Sequence, residues 1–478
     1  MKVAIVGAGL GGLSAACHLA GRGHEVTVLE REEVPGGRAG VLRLGGYTFD
    51  TGPTVLTMPD LLEATFAAAG VDMADLLPLR PVDPMYRATF EDGSTIRLWH
   101  GLDRMAEEVR ATCGPADADG FLRFAAWVTD LYELEMPHFI ARDFDSVLDL
   151  ARPLGPALRL LRTGGFRRLS KVVGSYVQDE RLRRLLSFQS MYAGLAPYEA
   201  LAIYCVITYM DSVAGVFSPV EGGIHAVPTA LAAAAEKAGA TFRYGTAVER
   251  IRPGLVTLAG GEVVEADAVV CNPDLPVAYR ELLRRDPPRP RGRYSPSCLV
   301  WHAGVRGELP EGTAHHNIHF GRDWDGAFRA ILRDGTRMPD PSILVTVPSL
   351  DDPTLATPGG HSLYVLEPVP NLDGRVDWSA ERARDELAAR VAALGYPAEV
   401  EVETIVDPRD WEAQGMERGT PFALSHTFGQ TGPFRPGLVD RKVPGVVFVG
   451  SGTLPGVGVP MVLVSGRLAA ERVEAMAP

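Results

Sequence analysis

The chain has 478 residues, 46% of them hydrophobic, with 47 lysines and arginines against 60 acidic residues and a net charge of −13. That length buries a large core and fits two domains, and the acidic balance argues against a general nucleic-acid binder. Five scattered cysteines (Cys17, Cys113, Cys205, Cys271 and Cys298) with no C-x-x-C spacing read as free thiols in a reducing compartment, so a cytoplasmic location is expected.

The first element is a β-branched run, residues 2–6, that enters the turn GAGLGG. Gly7, Gly9 and Gly12 fit G-x-G-x-x-G, with Ala8, Leu10 and Gly11 between them. Gly7 permits the tight turn, Gly9 lets the backbone approach a pyrophosphate, and Gly12 lets helix and strand pack closely. An apolar helix follows, and its N-terminal N–H groups face the phosphates. A second strand, HEVTVLE, ends at Glu30, where a carboxylate hydrogen-bonds a ribose hydroxyl, with Arg31 next to it. The apolar stretch 3–20 mimics a signal peptide, but cleavage there would destroy this motif. The site is one for a dinucleotide.

Next comes REEVPGGRAG, with Gly36, Gly37 and Arg38, and then GGYTFDTGPTVL, with Gly52, Pro53 and Thr54. A nicotinamide dehydrogenase has no general need for a second glycine–arginine loop here. Flavoproteins use one to hold the pyrophosphate from its other side, so FAD is the expected cofactor. No second nucleotide motif is visible for NAD(P)H.

Residues 86–99 are two strand-like runs around Asp92-Gly93, a hairpin signal. From about 100 to 210 apolar residues recur at three- and four-residue spacing, predicting helices. Gly222-Gly223 opens a helix to about 238, and short alternating strands follow to about 271. Residues 276–440 are mixed. Residues 443–466 are uncharged over a membrane-spanning length, but their glycines and prolines predict strand, loop and helix rather than a span. The expected architecture is α/β: a Rossmann-like FAD-binding domain of the GR2 type from residues 1–85, 211–275 and 441–478. A helix-rich α+β substrate and membrane domain, residues 86–210 and 276–440, is inserted into it.

The blocks VGAGLGGL, PGGRAG, FDTGPTVLTMPD, SFQSMYAG, PVEGGIHAVP, AHHNIHFG and VGSGTLPGVGVPMVLVSGRLAAERV run in order from residue 6 to residue 473. Together they resemble the bacterial phytoene desaturase family, within a broader superfamily that includes the amine oxidases. The resemblance implies FAD, a peripheral membrane enzyme at the inner face of the cell membrane, and stepwise desaturation of a long isoprenoid hydrocarbon. Oxygen or a quinone would reoxidise the flavin. The resemblance also implies that the Val248 backbone contacts adenine. The C-terminal loop, with Gly450, Ser451 and Gly452, would clasp the flavin, and Val459, Pro460 and Met461 would begin a helix aimed at its ring edge. Relatives outside the carotene branch often place an acid in that loop, and none stands here.

Loss of a proton beside the oxidised carbon needs an acceptor. In FDSVLDLARP, Asp149 and Arg152 share a helical face and resemble the family segment where an acid and an arginine lie near the flavin; the alternative is a surface ion pair. His315, His316 and His319 have no carboxylate or cysteine at ligand spacing, so no metal is expected. Residues 157–186 carry eight cations against Asp179 and Glu180, interleaved with leucines: a face for anionic lipid, or a solvated helix pair. Two rivals share the nucleotide motifs. One is another FAD enzyme of this fold: a later-step desaturase, a carotene isomerase or an amine oxidase. The other is a non-catalytic isoprenoid carrier, which the intact glycines, Glu30 and Arg38 disfavour.

Overall fold

A computed structural model describes residues 1–146, 148–149, 154–288, 292–378 and 382–477. Five short strands form a parallel sheet, in the order Thr241–Arg243, Glu25–Leu29, Lys2–Val6, Ala268–Cys271, Val446–Phe448. Numbered along the chain this is 3-2-1-4-5, the doubly wound arrangement, and the order reverses beside Lys2–Val6. The strands are short apolar runs because both faces of the sheet are covered.

One face carries the helices Leu10–Gly21, Ala226–Lys237 and Val459–Glu474, and their contact explains the small residues in the sequence. A Cβ at Gly12 would lie 2.2 Å from the Gly7 carbonyl oxygen, and one at Gly466 would lie 2.5 Å from Ser14 Cβ. The Ser14 hydroxyl donates to the Leu463 carbonyl at 2.8 Å, tying the first helix to the last. The other face carries a three-stranded meander, Val248–Arg252, Leu255–Leu258 and Val263–Glu265.

A seven-stranded sheet stands apart from the parallel one. Its strands come from residues 86–98 and 297–406, and it is antiparallel except where His316–His319 runs parallel to Tyr86–Thr89. Its long strand Ser297–Arg306, next to the edge, alternates: Trp301, Ala303 and Val305 pack on the helix Ala383–Ala393, while Cys298 and Val300 pack with Tyr364 and Trp411. The hairpin signal at Asp92-Gly93 joins Tyr86–Thr89 to Thr95–Leu98. Helices Leu102–Thr112, Pro115–Glu135, Leu169–Tyr176 and Cys205–Ser212 pack over this end on a core that includes Phe121, Phe124, Val128 and Leu185. Residues 443–466 form the strand Val446–Phe448, a glycine loop and the start of the last helix. Among the described residues, no helix is long and apolar enough to cross a membrane.

Candidate flavin site and hydrocarbon cavity

Three loops meet in the crevice at the carboxyl ends of Lys2–Val6 and Ala268–Cys271, where a doubly wound sheet binds its ligand. Gly9 caps the first helix and leaves its first-turn N–H groups without intrahelical acceptors. The second loop lies against it: the Gly36 N–H donates to the Ala8 carbonyl at 2.9 Å, and a Cβ at Gly37 would lie 3.2 Å from Gly9 Cα. The C-terminal loop closes the third side, where a Cβ at Gly11 would lie 3.2 Å from Gly450 Cα. Side chains would fill this cradle, and their absence leaves room for a pyrophosphate between backbone N–H groups.

Gly7, Gly9, Leu10, Gly11, Glu30, Arg31, Gly37, Arg38, Gly52, Pro53, Thr54, Val248, Gly450, Ser451, Gly452, Val459, Pro460 and Met461 all line one cavity of about 1260 Å³. Ala8 and Gly12 stand behind its wall: Ala8 is fully buried, and its N–H donates to Glu30 Oε2 at 2.6 Å. Glu30 also accepts the Glu32 N–H at 2.9 Å, and each oxygen keeps acceptor capacity for a ribose hydroxyl. Arg31 turns outward to Glu32 and the Gln414 carbonyl. Arg38 spans the crevice from the second loop to Ser451 and to Asp274, the latter at 3.1 Å. The shape, the free N–H groups and the Glu30 carboxylate at the end of the second strand fit FAD.

Asn272 and Arg435 complete the site and were not evident in the sequence. Asn272 ends the fourth parallel strand beside the glycine loop, and its Nδ2 lies 2.7 Å from where a Gly9 Cβ would stand. Arg435 is 3% exposed and donates to the carbonyls of Thr453, Ser451 and Leu424, fixing the C-terminal loop from beneath. Burial lowers its guanidinium to about 10, so it remains charged at neutral pH.

Beyond the cradle the cavity continues between the helical layer and the large sheet, past Ile140, Ile207, Phe188, Leu344, Trp411 and Phe428. Two carboxyls stand in this apolar wall, Glu135 and Asp211. Glu135 was visible as an acid on a buried stripe: it follows Phe124, Val128 and Leu131 at helical spacing.

Asp149 is not among the residues lining the cavity. It is buried, and its Oδ2 accepts the backbone N–H groups of Asp145 and Ser146, each at 2.9 Å. Arg152 lies outside the described residues. The three histidines are tied into the core separately. His315 Nδ1 lies 2.5 Å from Asp351 Oδ2, and His319 Nε2 lies 3.1 Å from the Tyr396 hydroxyl. His316 sits between the carbonyls of Met85 and Thr54; burial lowers it to about 3, so its single N–H serves one of them at a time. Among the described residues, no three His, Cys, Asp or Glu side chains are grouped to hold a metal ion.

The crevice, its paired glycine loops and the clasp define an FAD-dependent oxidoreductase. The family model for flavin-containing amine oxidoreductases matches residues 10–474. A phytoene dehydrogenase of Streptomyces griseus is 50% identical, the alignment covering 98% of this chain and 94% of that protein. A zeta-carotene-forming phytoene desaturase of Myxococcus xanthus is 40% identical over 98% of this chain and 93% of its own. Among solved structures, an oxidoreductase of Methanosarcina mazei shares the fold, with a TM-score of 0.63 and 17% identity over 98% of this chain and 100% of that one. The chain belongs to the bacterial phytoene desaturase family of the flavin-containing amine oxidoreductases.

Proposed function

We propose that the protein desaturates phytoene stepwise into conjugated carotenes such as lycopene, as a step of carotenoid biosynthesis. The observation that carries this reading is the cavity itself. It runs from the flavin cradle through an apolar lining to Ala157, Leu161 and Phe166, beside an exposed apolar face. A hydrocarbon has no polar group to be recognised, so shape and dryness must position its allylic carbons. Bound FAD supplies a two-electron acceptor for a C–H hydrogen, and oxygen or a quinone would restore it.

The entrance supports delivery from a membrane surface. On the helix Leu154–Arg162, Leu154, Leu158 and Leu161 are exposed, with Phe166 just beyond. Arg159, Arg162, Arg167, Arg168 and Lys171 are exposed around them. Leucines entering the interface beside cations that meet anionic headgroups suit a peripheral enzyme on the inner face of the cell membrane. Arg181, Arg183 and Arg184 do other work: they hold Asp179 and the carbonyls of Thr112, Val177 and Gly321.

The test is the absorption spectrum of a pigment extract from phytoene-producing bacteria expressing this chain. Three-peaked polyene bands, absent with Gly9→Val, are expected. An extract holding only phytoene, from cells containing flavin-loaded protein, would reject phytoene as substrate.

A further inference from the structure

Of the two carboxyls in the hydrocarbon wall, Glu135 has its Oε1 buried without a hydrogen-bond partner among the described residues. Burial alone pushes it well above the carboxylate range, which favours its protonated form. Asp211 is built differently. It is 2% exposed, and its Oδ1 accepts the Ser212 hydroxyl at 2.7 Å and the Gln189 amide at 3.2 Å. Its Oδ2 has no hydrogen-bond partner among the described residues. Two donors on one oxygen stabilise the ionised form and leave the other oxygen for a proton.

Asp211 lines the same cavity as the flavin cradle. Its neighbour Met210 clusters with Met58 and Val206, and Met461 at the start of the last helix packs against them. On the other side stand Tyr86 and Tyr192, and the Tyr86 ring lies 5.3 Å from His316, which bonds the Thr54 carbonyl.

We infer that Asp211, oriented by Ser212 and Gln189, is the residue that takes the proton from the hydrocarbon during desaturation. The inference rests on the desaturase reading above. Bound FAD would accept one hydrogen together with its bonding pair. The adjacent carbon gives a proton to the Asp211 carboxylate, and the pair from that C–H bond becomes the new π bond. The titratable groups facing Asp211 are Tyr86 and Tyr192, whose phenols burial pushes upward, so neither changes charge near neutral pH. With the Asp211 carboxyl raised to about 7, the acceptor is ionised above that pH and neutral below it.

The test compares the flavin-loaded enzyme with Asp211→Asn and Ser212→Ala, assaying phytoene in liposomes across pH and recording infrared carboxyl bands. Asp211→Asn keeps an acceptor for Ser212 and Gln189, so flavin content should be unchanged while turnover falls about 100-fold or more. The parent should lose a carboxylic-acid C=O band as pH rises through about 7, and the Asn variant should lack that transition. Ser212→Ala removes one donor, so both its infrared transition and its half-maximal rate should move to higher pH. Equal turnover and the same pH profile in parent and Asp211→Asn would overturn the inference alone. A parent that leaves phytoene unchanged would overturn both it and the desaturase reading.

Discussion

A methyl group at Gly12 meets a backbone oxygen, and one at Gly9 meets the end of the Asn272 side chain. The two positions should therefore fail differently. Gly12→Ala should lower thermal stability by about 1–3 kcal/mol, because strand and helix must separate. Gly9→Ala leaves Asn272 free to shift, so the protein should fold, and the loss should appear as weaker FAD retention on gel filtration. Asp211 makes a pH prediction. Its folded value, about 7, lies above an unfolded value of about 3.9. The stability it contributes is thus complete below about pH 4 and lost as pH rises through about 7. Asp211→Asn should match the parent's Tm near pH 4 and exceed it at pH 8, as thermal melts at the two pH values would show. The glycines were legible because their spacing is local. Asn272 was not, because its place beside Gly9 depends on two strands 265 residues apart. Asp211 was not, because only the cavity marks it out from other acids on apolar helices.

At the scale of elements, the sequence sums charge along a segment and the fold divides it. Residues 157–186 read as one basic stretch, yet the cations from Arg181 onward cap and tie helices inside the protein. The part we propose to face lipid is the helix Leu154–Arg162 and the turn after it, where leucines and arginines are exposed together. Replacing Leu158, Leu161 and Phe166 by serine should weaken binding to anionic vesicles about 100-fold, taking a little under 1 kcal/mol from each partly inserted side chain. Flotation with vesicles measures this directly. The residual binding should depend more steeply on salt, since only the cations remain. A second element effect concerns the clasp. Arg435 was hidden in a proline- and glycine-rich stretch with no periodic signal, yet it holds three carbonyls of the C-terminal region. Arg435→Met should leave those acceptors unpaired, cost about 3–5 kcal/mol and release FAD.

The whole molecule joins a flavin crevice to a dry cavity, and the chain crosses between them several times. The parallel sheet draws strands from residues 2–29, 241–271 and 446–448, while the larger sheet draws on residues 86–98 and 297–406. The strand Val446–Phe448 was legible as a short apolar run leading into a glycine loop near the C-terminus. The pairing of His316–His319 with Tyr86–Thr89 was not, since register between segments some 230 residues apart leaves no local pattern. That pairing seats His316 against Thr54, and Ile318 on the same strand lines the cavity. The most direct measurement is anaerobic mixing of flavin-loaded protein with phytoene in liposomes, following the flavin absorbance. The expected result is loss of the oxidised flavin bands, with one new double bond formed per flavin reduced. Flavin that stays oxidised beside unchanged phytoene, in protein that retains its FAD and binds the vesicles, would contradict the account.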